Sequence, residues 1–216
     1  MNFKTTLYAN YEKTLPQAGK HILAQQTNEH ILVYQAYRPS IANYAIEHQE
    51  FGGADYSYNR MSWIKPNFLW MMYRSGWAAK PGQEKIVGIW IKKTDFDIIL
   101  ENSAFTSYAQ TSDMSHDDWK ASLDENEIRL QWDPDHIPNG EKHTRKAIQL
   151  GIKGTLLKQF GKEMPVKIID LSDFVNKQRA YAQSSPYEQL QVAEESIYLP
   201  KGNNLARKIG LDVRNL

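Results

Sequence analysis

The sequence predicts an α+β protein with a mixed, largely antiparallel sheet and short flanking helices. Short runs of alternating or wholly apolar residues recur along the chain, separated by serine, proline and glycine signals that begin and end short helices. The runs lie at both hairpin and crossover spacing, which indicates a mixed sheet. We expect one globular domain over residues 1–216, with fraying at 1–19 and a peripheral segment at 184–216.

The strands are predicted from apolar and β-branched runs, at 30–37, 60–65, 84–93, 127–132 and 166–171. The run at 84–93 is apolar on both faces, so both faces should be buried. The segment 145–152 fits either a strand or a short helix. Residues 133–140 contain two prolines, an asparagine and a glycine, which predict a rigid turn.

Helices are predicted where a polar residue precedes an apolar pattern. Ser40 should cap a helix that stops before Gly52, Thr94 and Asp95 should open a second, and Ser172 should cap a third. The polar segment 103–118, which includes Asp113, is expected to be a mobile loop.

One run, 60–80, reads RMSWIKPNFLWMMYRSGWAAK and contains three tryptophans and four cations but no acidic residue. Pro66 suits the first position of a helix and Gly76 the position after its end, which predicts a helix from 66 to about 75. Its apolar residues point in all directions, so it should be buried. Trp70 and Arg74 would share a face, so the Arg74 guanidinium could lie over the indole; the alternatives left open are that it caps the last carbonyls or that it binds a ligand.

Composition limits the classes of function. Lys and Arg total 26 against 25 Asp and Glu, so the net charge of +1 provides no global attraction to nucleic acid or to an anionic membrane. The absence of cysteine excludes disulfides, thiolate-ligated zinc and a cysteine nucleophile, and it suits a cytoplasmic protein. The first residues, MNFKTTLYANYEK, lack the apolar segment of a secretory signal.

Familiar catalytic motifs do not occur. The sequence has no phosphate-binding GxxxxGK[ST] or GxGxxG motif and no GxSxG nucleophile elbow. Metal-ligand residue types cluster at 133–143, but their spacing matches no known site and favours a solvated loop, so we predict no metal; these residues are Asp133, Asp135, His136, Glu141 and His143.

The basic and aromatic residues of 60–80 are the types on which a base stacks while a phosphate is neutralised; they are Arg60, Trp63, Lys65, Trp70, Tyr73 and Arg74. An aromatic core with cations extending to solvent would give the same pattern. Cations without acidic partners favour an anionic ligand, because a partly buried unpaired charge costs several kcal/mol.

Four segments resemble an uncharacterised bacterial and fungal family, domain of unknown function 4291. They are VYQAYRPSIA at 33–42, the run at 60–80, RLQWDPDH at 129–136 and RKAIQLG at 145–151. The resemblance extends from about residue 19 onward. It implies no settled activity and assigns no catalytic residue.

A weaker resemblance relates the opening of the chain to ADP-ribosyltransferase-like domains, through the order of strand 33–37, helix, glycine turn, strand 60–65 and helix. It implies that fold, with NAD held by the first two strands. The matching positions here carry Tyr34, Gln35, Tyr37, Arg38 and Ser62, without the Arg or His-Gly pair of that family. A late-strand glutamate completes its site, and Gln131, Asp133 and Gln149 occur here instead.

The leading hypothesis is an NAD-using enzyme that transfers ADP-ribose to a nucleic acid or protein, with no metal and no membrane partner. Its expected catalytic residues are Asp133, Gln149 and Tyr37. Its expected NAD-binding residues are Tyr34, Gln35, Arg38, Arg60, Ser62, Trp63, Lys65, Trp70 and Arg74. The alternatives are a non-catalytic nucleotide or nucleic-acid binding module that uses 60–80, and a protein-binding domain in which these residues are core.

Overall fold

Short strands and short helices alternate along the chain in the computed structural model, which describes residues 1–111 and 114–212. The strands are β1 (Thr5–Leu7), β2 (Gly19–Lys20), β3 (Ile22–Ala24), β4 (His30–Tyr37), β5 (Ser62–Ile64), β6 (Lys85–Lys92), β7 (Ser103–Phe105), β8 (Ile128–His136), β9 (Lys142–Ile152), β10 (Lys167–Asp170), β11 (Gln191–Ala193) and β12 (Ser196–Tyr198). The helices are α1 (Tyr8–Thr14), α2 (Pro39–His48), α3 (Phe68–Ser75), α4 (Lys93–Glu101), α5 (His116–Glu125), α6 (Gly154–Lys162), α7 (Ser172–Ala182) and α8 (Asn203–Lys208). The predicted α+β class is confirmed.

Several small sheets form the framework. The first has the order β10–β6–β4 and is antiparallel. The second has the order β2–β9–β8–β7, with β5 paired to the end of β9; β2 and β7 run parallel to their neighbours and the other pairs are antiparallel. Two antiparallel pairs, β1–β11 and β3–β12, complete the set. Largely antiparallel pairing is confirmed, whereas the expectation of one sheet was wrong.

A backbone pairing between Tyr34 and Lys65 connects the two larger sheets. The N–H of Tyr34 donates to the carbonyl of Lys65 at 2.7 Å, and the N–H of Lys65 donates to the carbonyl of Tyr34 at 3.2 Å. Tyr34 lies within β4, and Lys65 directly follows β5. The edges of the two sheets therefore meet at this pair, which we call the sheet junction.

Strand β6 is buried on both faces, as its apolar sequence predicted. Val87 and Ile89 point into one core layer, while Ile86 and Trp90 point into the other. The first layer includes residues of α2, α4, α6 and the second sheet, and the second layer includes residues of α1, α3 and α7. The first sheet therefore separates two apolar layers.

The serines expected to cap helices lie inside them. Helix α2 begins at Pro39, whose missing N–H is harmless in the first turn, and Ser40 follows it without capping. Helix α7 begins at Ser172, whose hydroxyl accepts the N–H of Ile86 at 3.2 Å. Both capping predictions were wrong, and Ser172 connects its helix to β6 instead.

Helix α3 is buried, as predicted, but it begins two residues later than expected. Asn67 rather than Pro66 precedes it, and the Asn67 side-chain oxygen accepts the N–H of Trp70 at 2.6 Å. At its end Gly76 has a φ of 60°, a left-handed conformation that glycine adopts readily, as the sequence predicted. Within the described ranges no helix has the length and apolar character needed to cross a membrane.

Strand β8 continues through residues that were predicted to turn. Asp133 pairs with Ala147, and Pro134 pairs with Lys146. The pairing becomes irregular between Pro134 and His136, which accommodates a proline that has no N–H to donate. The prediction of a turn over 133–140 was therefore wrong at its start, and the open segment 145–152 is part of β9.

The segment 103–118 also contains regular structure that the sequence analysis assigned to a loop. It includes β7, a 3-10 turn at Tyr108–Gln110 and the start of α5, where the Ser115 side chain accepts the N–H of Asp118. Asp113 lies outside the described residues.

The N-terminal segment and the segment around residues 191–195 pack on the body. Strand β1 pairs with β11, and Tyr11 of α1 is buried. Glu195, between β11 and β12, accepts the Tyr11 hydroxyl at 2.8 Å and the N–H of Phe68 at 2.7 Å. The segment expected to be peripheral thus holds the start of α3, and residues 1–19, for which we expected fraying, take part in the same contacts.

A buried ion pair joins β8 to β9. Arg145 Nε donates to Asp135 Oδ2 at 2.8 Å, and both side chains are fully buried. Arg145 Nη1 also donates to the carbonyl of Pro16 at 2.8 Å and lies 3.3 Å from Glu12 Oε1. Since Glu12 belongs to α1, the same guanidinium holds the N-terminal helix in place.

Replacing Asp135 with alanine should lower the free energy of unfolding by up to about 3 to 5 kcal/mol, because Arg145 would lose its fully buried carboxylate and keep only that of the partly exposed Glu12. Glu50→Ala is the matched control: it removes the carboxylate of a partly exposed pair with Lys162, and should change stability by less than about 1 kcal/mol. Urea unfolding followed by tryptophan fluorescence measures both. Equal losses in the two variants would contradict this account of the ion pair.

Candidate functional site

A cavity of about 520 Å³ opens beside the sheet junction. Its walls are the C-terminal end of β4, the loop at 55–61, β5 and part of α3, with Gln149 of β9 also lining it. Its volume is within the range of about 300 to 1,000 Å³ that is usual for small-ligand sites. We call it the junction cavity.

The junction cavity brings together most of the residues singled out from the sequence. Those that line it are Gln35, Tyr37, Arg38, Arg60, Ser62, Trp63, Lys65, Arg74 and Gln149. Three others, Tyr34, Trp70 and Asp133, do not line it.

Gln35, Tyr37 and Ser62 form a hydrogen-bonded network in the cavity wall. Strand alternation places Gln35 and Tyr37 on the same face of β4, and Ser62 begins β5. Gln35 Nε2 donates to Ser62 Oγ at 2.7 Å and to the Trp63 carbonyl at 3.2 Å, and the Tyr37 hydroxyl is hydrogen-bonded to Ser62 Oγ at 2.8 Å. Gln35 Oε1 is buried without a partner among the described residues. An unmet acceptor costs about 1 to 3 kcal/mol, so this enclosed oxygen is an unfavourable feature of the cavity wall.

An aromatic cluster supports this network. The ring of Tyr56 lies edge-on to Tyr37 at a centroid distance of 6.1 Å and stacks on Phe51 at 5.2 Å. Burial raises the pKa of both tyrosines, so their hydroxyls remain protonated at neutral pH. The sequence analysis missed Tyr56, which lines the cavity from an aperiodic loop. The one available signal was its position between a glycine turn and the basic run.

The cavity wall is positively charged. Four cations line it: Arg38, Arg60, Lys65 and Arg74. Among the described residues that line the cavity, one carries a carboxylate, and this residue, Asp55, is exposed. None of the four cations forms an ion pair with a described carboxylate. A bound anion would relieve the repulsion between these like charges.

Lys65 is the most deeply buried of the four cations that line the cavity. It is 3% exposed, whereas the three arginines are exposed. Burial, reinforced by the charge of Arg74, lowers the pKa of Lys65 to about 7, and Asp133 opposes this shift. The uncharged form of Lys65 is therefore far more populated at neutral pH than it is for a lysine in water.

Asp133 lies behind the wall, where two glutamines hold it. Gln131 and Gln149 face each other across β8 and β9, and Asp133 is two residues further along on the same face. Gln131 Nε2 donates to Asp133 Oδ1 at 2.9 Å, and Gln149 Nε2 donates to Oδ2 at 2.6 Å. Asp133 therefore fixes the orientation of Gln149, whose side chain borders the cavity.

Tyr34 and Trp70 pack away from the cavity. The Tyr34 side chain lies on the opposite face of β4 from Gln35 and contacts Phe68 edge-on, with ring centroids 5.6 Å apart. Trp70 stacks on His136 at a centroid distance of 5.0 Å. Both aromatic rings are core residues, so the expectation that they contact a ligand is not supported by their position.

Among the described residues Arg74 neither covers an indole nor caps the helix carbonyls, and the ligand role left open for it stays a prediction. In the described part of the chain Lys80, and not Arg74, places its charge over an aromatic ring of α3: Lys80 Nζ lies 5.6 Å from the centroid of the Tyr73 ring. Lys80 Nζ also donates to the carbonyls of Tyr73 and Arg74 at the end of the helix. Because Lys80 occupies these carbonyls, the Arg74 guanidinium is left to border the cavity.

The metal-ligand residue types at 133–143 do not converge on one point. Asp135 binds Arg145, and His143 lies beside Glu12 with 3.0 Å between Nε2 and Oε1. Across residues 1–111 and 114–212, no group of three or more histidine and carboxylate side chains is placed to hold a metal ion.

The fold and the cavity define a mixed α+β protein with a basic, aromatic-lined pocket at the meeting point of two sheets. The chain belongs to the family described as Domain of unknown function (DUF4291), whose model matches residues 21–198 of the 216. The family resemblance predicted from the four motifs is thereby confirmed, and the matched range contains every residue that lines the cavity. No curated protein is similar enough to match the chain.

Lys65→Met should raise the melting temperature at neutral and lower pH, because it removes a buried charge that has no carboxylate partner in the described part of the chain. A gain of about 1 kcal/mol would appear as about 2 to 4 °C for a chain of this size. The unfolded lysine has the higher pKa and binds more protons between about pH 7 and 10.5, so the stability of the wild type rises with pH in that window. The difference in melting temperature between Lys65→Met and the wild type should therefore become smaller as the pH rises through that window.

Thermal melts of Lys65→Met and wild type in phosphate-free buffers at pH 6, 8 and 9.5 measure this difference. Lys177→Met, at an exposed position of α7, is the control and should give a difference that does not change with pH. A Lys65→Met difference that stayed constant over the same range would refute the assignment of Lys65 as a buried, destabilising cation.

Proposed function

We propose that the protein binds NAD in the junction cavity and transfers ADP-ribose from it to a nucleic acid or protein acceptor. The observation that carries the proposal is the concentration of cations around a cavity of ligand size, without ion-pair partners among the described residues. The pyrophosphate of NAD would bring two negative charges to this wall. Arg60, Arg74 and Lys65 are its proposed partners.

The network of β4 and β5 is suited to the nicotinamide end of the ligand. Tyr37 and Trp63 would offer aromatic surface beside the ring, and Gln35 would help to fix this wall through its hydrogen bonds to Ser62 and to the Trp63 carbonyl. Ser62 holds both Gln35 and Tyr37 in position through its hydroxyl. Arg38, at the end of β4, adds a charge at the same wall.

The pair of Asp133 and Gln149 is proposed to act on the ribose. ADP-ribosyl transfer breaks the bond between ribose and nicotinamide, and positive charge develops on the sugar in the transition state. Gln149 uses its amide N–H groups toward Asp133, which leaves its carbonyl oxygen to orient a ribose hydroxyl. The Asp133 carboxylate behind it would stabilise the developing positive charge.

The order of elements also supports this assignment. The resemblance to ADP-ribosyltransferase-like domains rests on the order strand, helix, glycine turn, strand and buried helix. These elements correspond to β4, α2, the turn that begins at Gly53, β5 and α3. The junction cavity lies between those two strands. We propose the ADP-ribosyltransferase-like fold on that basis.

A second candidate function is a non-catalytic module that binds a nucleotide or nucleic acid in the same cavity. One observation favours it: both oxygens of Asp133 accept glutamine amides, and no described carboxylate of β8 or β9 lines the cavity. Such a module would bind a short RNA with an affinity that falls steeply as salt increases, because phosphate contacts release counterions.

Calorimetric titration of NAD at moderate salt tests the proposed binding. We expect saturable binding that weakens at least tenfold in Arg74→Ala, or about 1.4 kcal/mol, because a phosphate contact is lost. Arg207→Ala, at an exposed position of α8, is the matched control and should bind as the wild type does. Turnover can be measured without knowing the acceptor, because water can take its place: hydrolysis of NAD then releases nicotinamide. The rate of this release should fall at least tenfold in Asp133→Ala.

Full nicotinamide release by both Arg74→Ala and Asp133→Ala would contradict the enzymatic proposal. NAD binding without turnover, or binding of ADP-ribose, ATP or a short RNA with a steep salt dependence and without NAD, would support the non-catalytic module. Thermal melts of each variant show whether a loss of binding comes from a loss of fold.

A further inference from the structure

The amine of Lys65 has an unusual position in the molecule. Both the N–H and the carbonyl of Lys65 are hydrogen-bonded to Tyr34, which fixes its backbone. Its side chain lines the junction cavity although the residue is only 3% exposed. Among the described residues its Nζ has neither an ion-pair partner nor a hydrogen-bond acceptor. This nitrogen nevertheless keeps some exposed surface, unlike the buried polar atoms that lack a partner. The amine therefore faces the space that a ligand would occupy.

The surroundings of Lys65 favour its reactive form. A lysine in water is protonated in all but about one molecule in a thousand or fewer at pH 7, and a protonated amine is not a nucleophile. Burial beside Arg74 lowers the pKa of Lys65 to about 7, despite the opposing charge of Asp133. A large fraction of Lys65 is consequently a free amine, within a wall whose arginines attract anions.

We propose that Lys65 is a covalent binding site, at which Nζ forms an imine with the carbonyl carbon of an aldehyde that carries a phosphate. The arginines at 38, 60 and 74 hold the phosphate, and Lys65 takes the aldehyde. Open-chain sugar phosphates have this chemistry, and so does ADP-ribose, whose terminal ribose opens to an aldehyde. This proposal shares the anion-binding wall with the proposed function but needs no NAD turnover.

The step requires no oxidant or reductant. The nitrogen lone pair of the neutral amine attacks the carbonyl carbon, and a C–N bond forms. The carbonyl oxygen then leaves as water with the two protons that the amine had carried, and a C=N bond remains. The reaction is reversible, so the adduct must be reduced in order to be isolated.

Trapping with sodium cyanoborohydride at pH 7 tests the proposal on the full chain. The wild type is incubated separately with ribose 5-phosphate, ADP-ribose and unphosphorylated ribose at equal concentration, and the modified lysine is located by peptide mass spectrometry. We expect the peptide with Lys65 to be labelled at least tenfold more by one or both phosphorylated aldehydes than by ribose. It should also be labelled at least tenfold more than the peptides with the exposed Lys177 and Lys92.

Two variants sharpen the result. Lys65→Arg keeps a positive charge but cannot form a stable imine, so the specific label should disappear, and Arg74→Ala should reduce it because both phosphate binding and the lowered pKa depend on Arg74. Labelling by ADP-ribose but not by ribose 5-phosphate would identify a dinucleotide-like ligand, and the reverse would identify a small sugar phosphate.

Labelling spread evenly over surface lysines, or equal labelling by ribose with and without phosphate, would overturn the proposal. The peptide map of the wild type decides this even if a variant fails to fold. Failure of the proposed function is separable, because NAD has no free aldehyde. Calorimetric NAD binding without a Lys65 adduct would refute the imine alone, and an adduct without NAD binding would refute the NAD proposal alone.

Discussion

The pairing of Tyr34 with Lys65 is the constraint on which the rest of the site depends. Two hydrogen bonds join the edges of the two larger sheets at this pair, and they fix the register between β4 and β5. Because side chains alternate along a strand, this register turns Tyr34 into the apolar layer and Gln35 toward β5. Gln35 can then reach Ser62, and Lys65 is held in the wall of the cavity.

The site carries unfavourable energy that the surrounding fold has to offset. Lys65 is buried without a carboxylate partner, and the Gln35 acceptor has no partner among the described residues. The buried Glu195, by contrast, meets Tyr11 and Phe68, although burial raises its pKa to about 8. A buried cation with a lowered pKa in the wall of a cavity is typical of a ligand site.

The sequence was sufficient for the parts that depend on local pattern. The apolar run of β6 and the helix that ends at Gly76 were predicted from periodicity and from one glycine, and the cations without acidic neighbours indicated the cavity residues. Which face of β4 would meet the cavity was not predictable, because Tyr34 and Gln35 are both buried and the junction pairing is not local. For the same reason, neither the shielding of Asp133 by Gln149 nor the anchoring of α3 by Glu195 could be predicted from sequence.

The continuation of β8 through Pro134 has a similar explanation. Asp-Pro and Pro-Asn-Gly segments form turns more often than strands, but partner pairing with β9 extends the strand and the irregular register tolerates the missing donor. Local propensity was outweighed there by pairing between strands that are adjacent in space. Tyr56, on a loop without periodicity, joins the site through its packing on Tyr37 and Phe51.

The central claim is that the junction cavity binds phosphate through its unpaired cations, and the melting temperature of the wild type with ADP-ribose or adenosine tests it most directly. A ligand present at about 100 times its dissociation constant stabilises the native state by about 2.7 kcal/mol. ADP-ribose should raise the melting temperature, adenosine at equal concentration should not, and an Arg60→Ala, Arg74→Ala double variant should lose the response. Equal shifts with both ligands, or a shift that survives in the double variant, would contradict it.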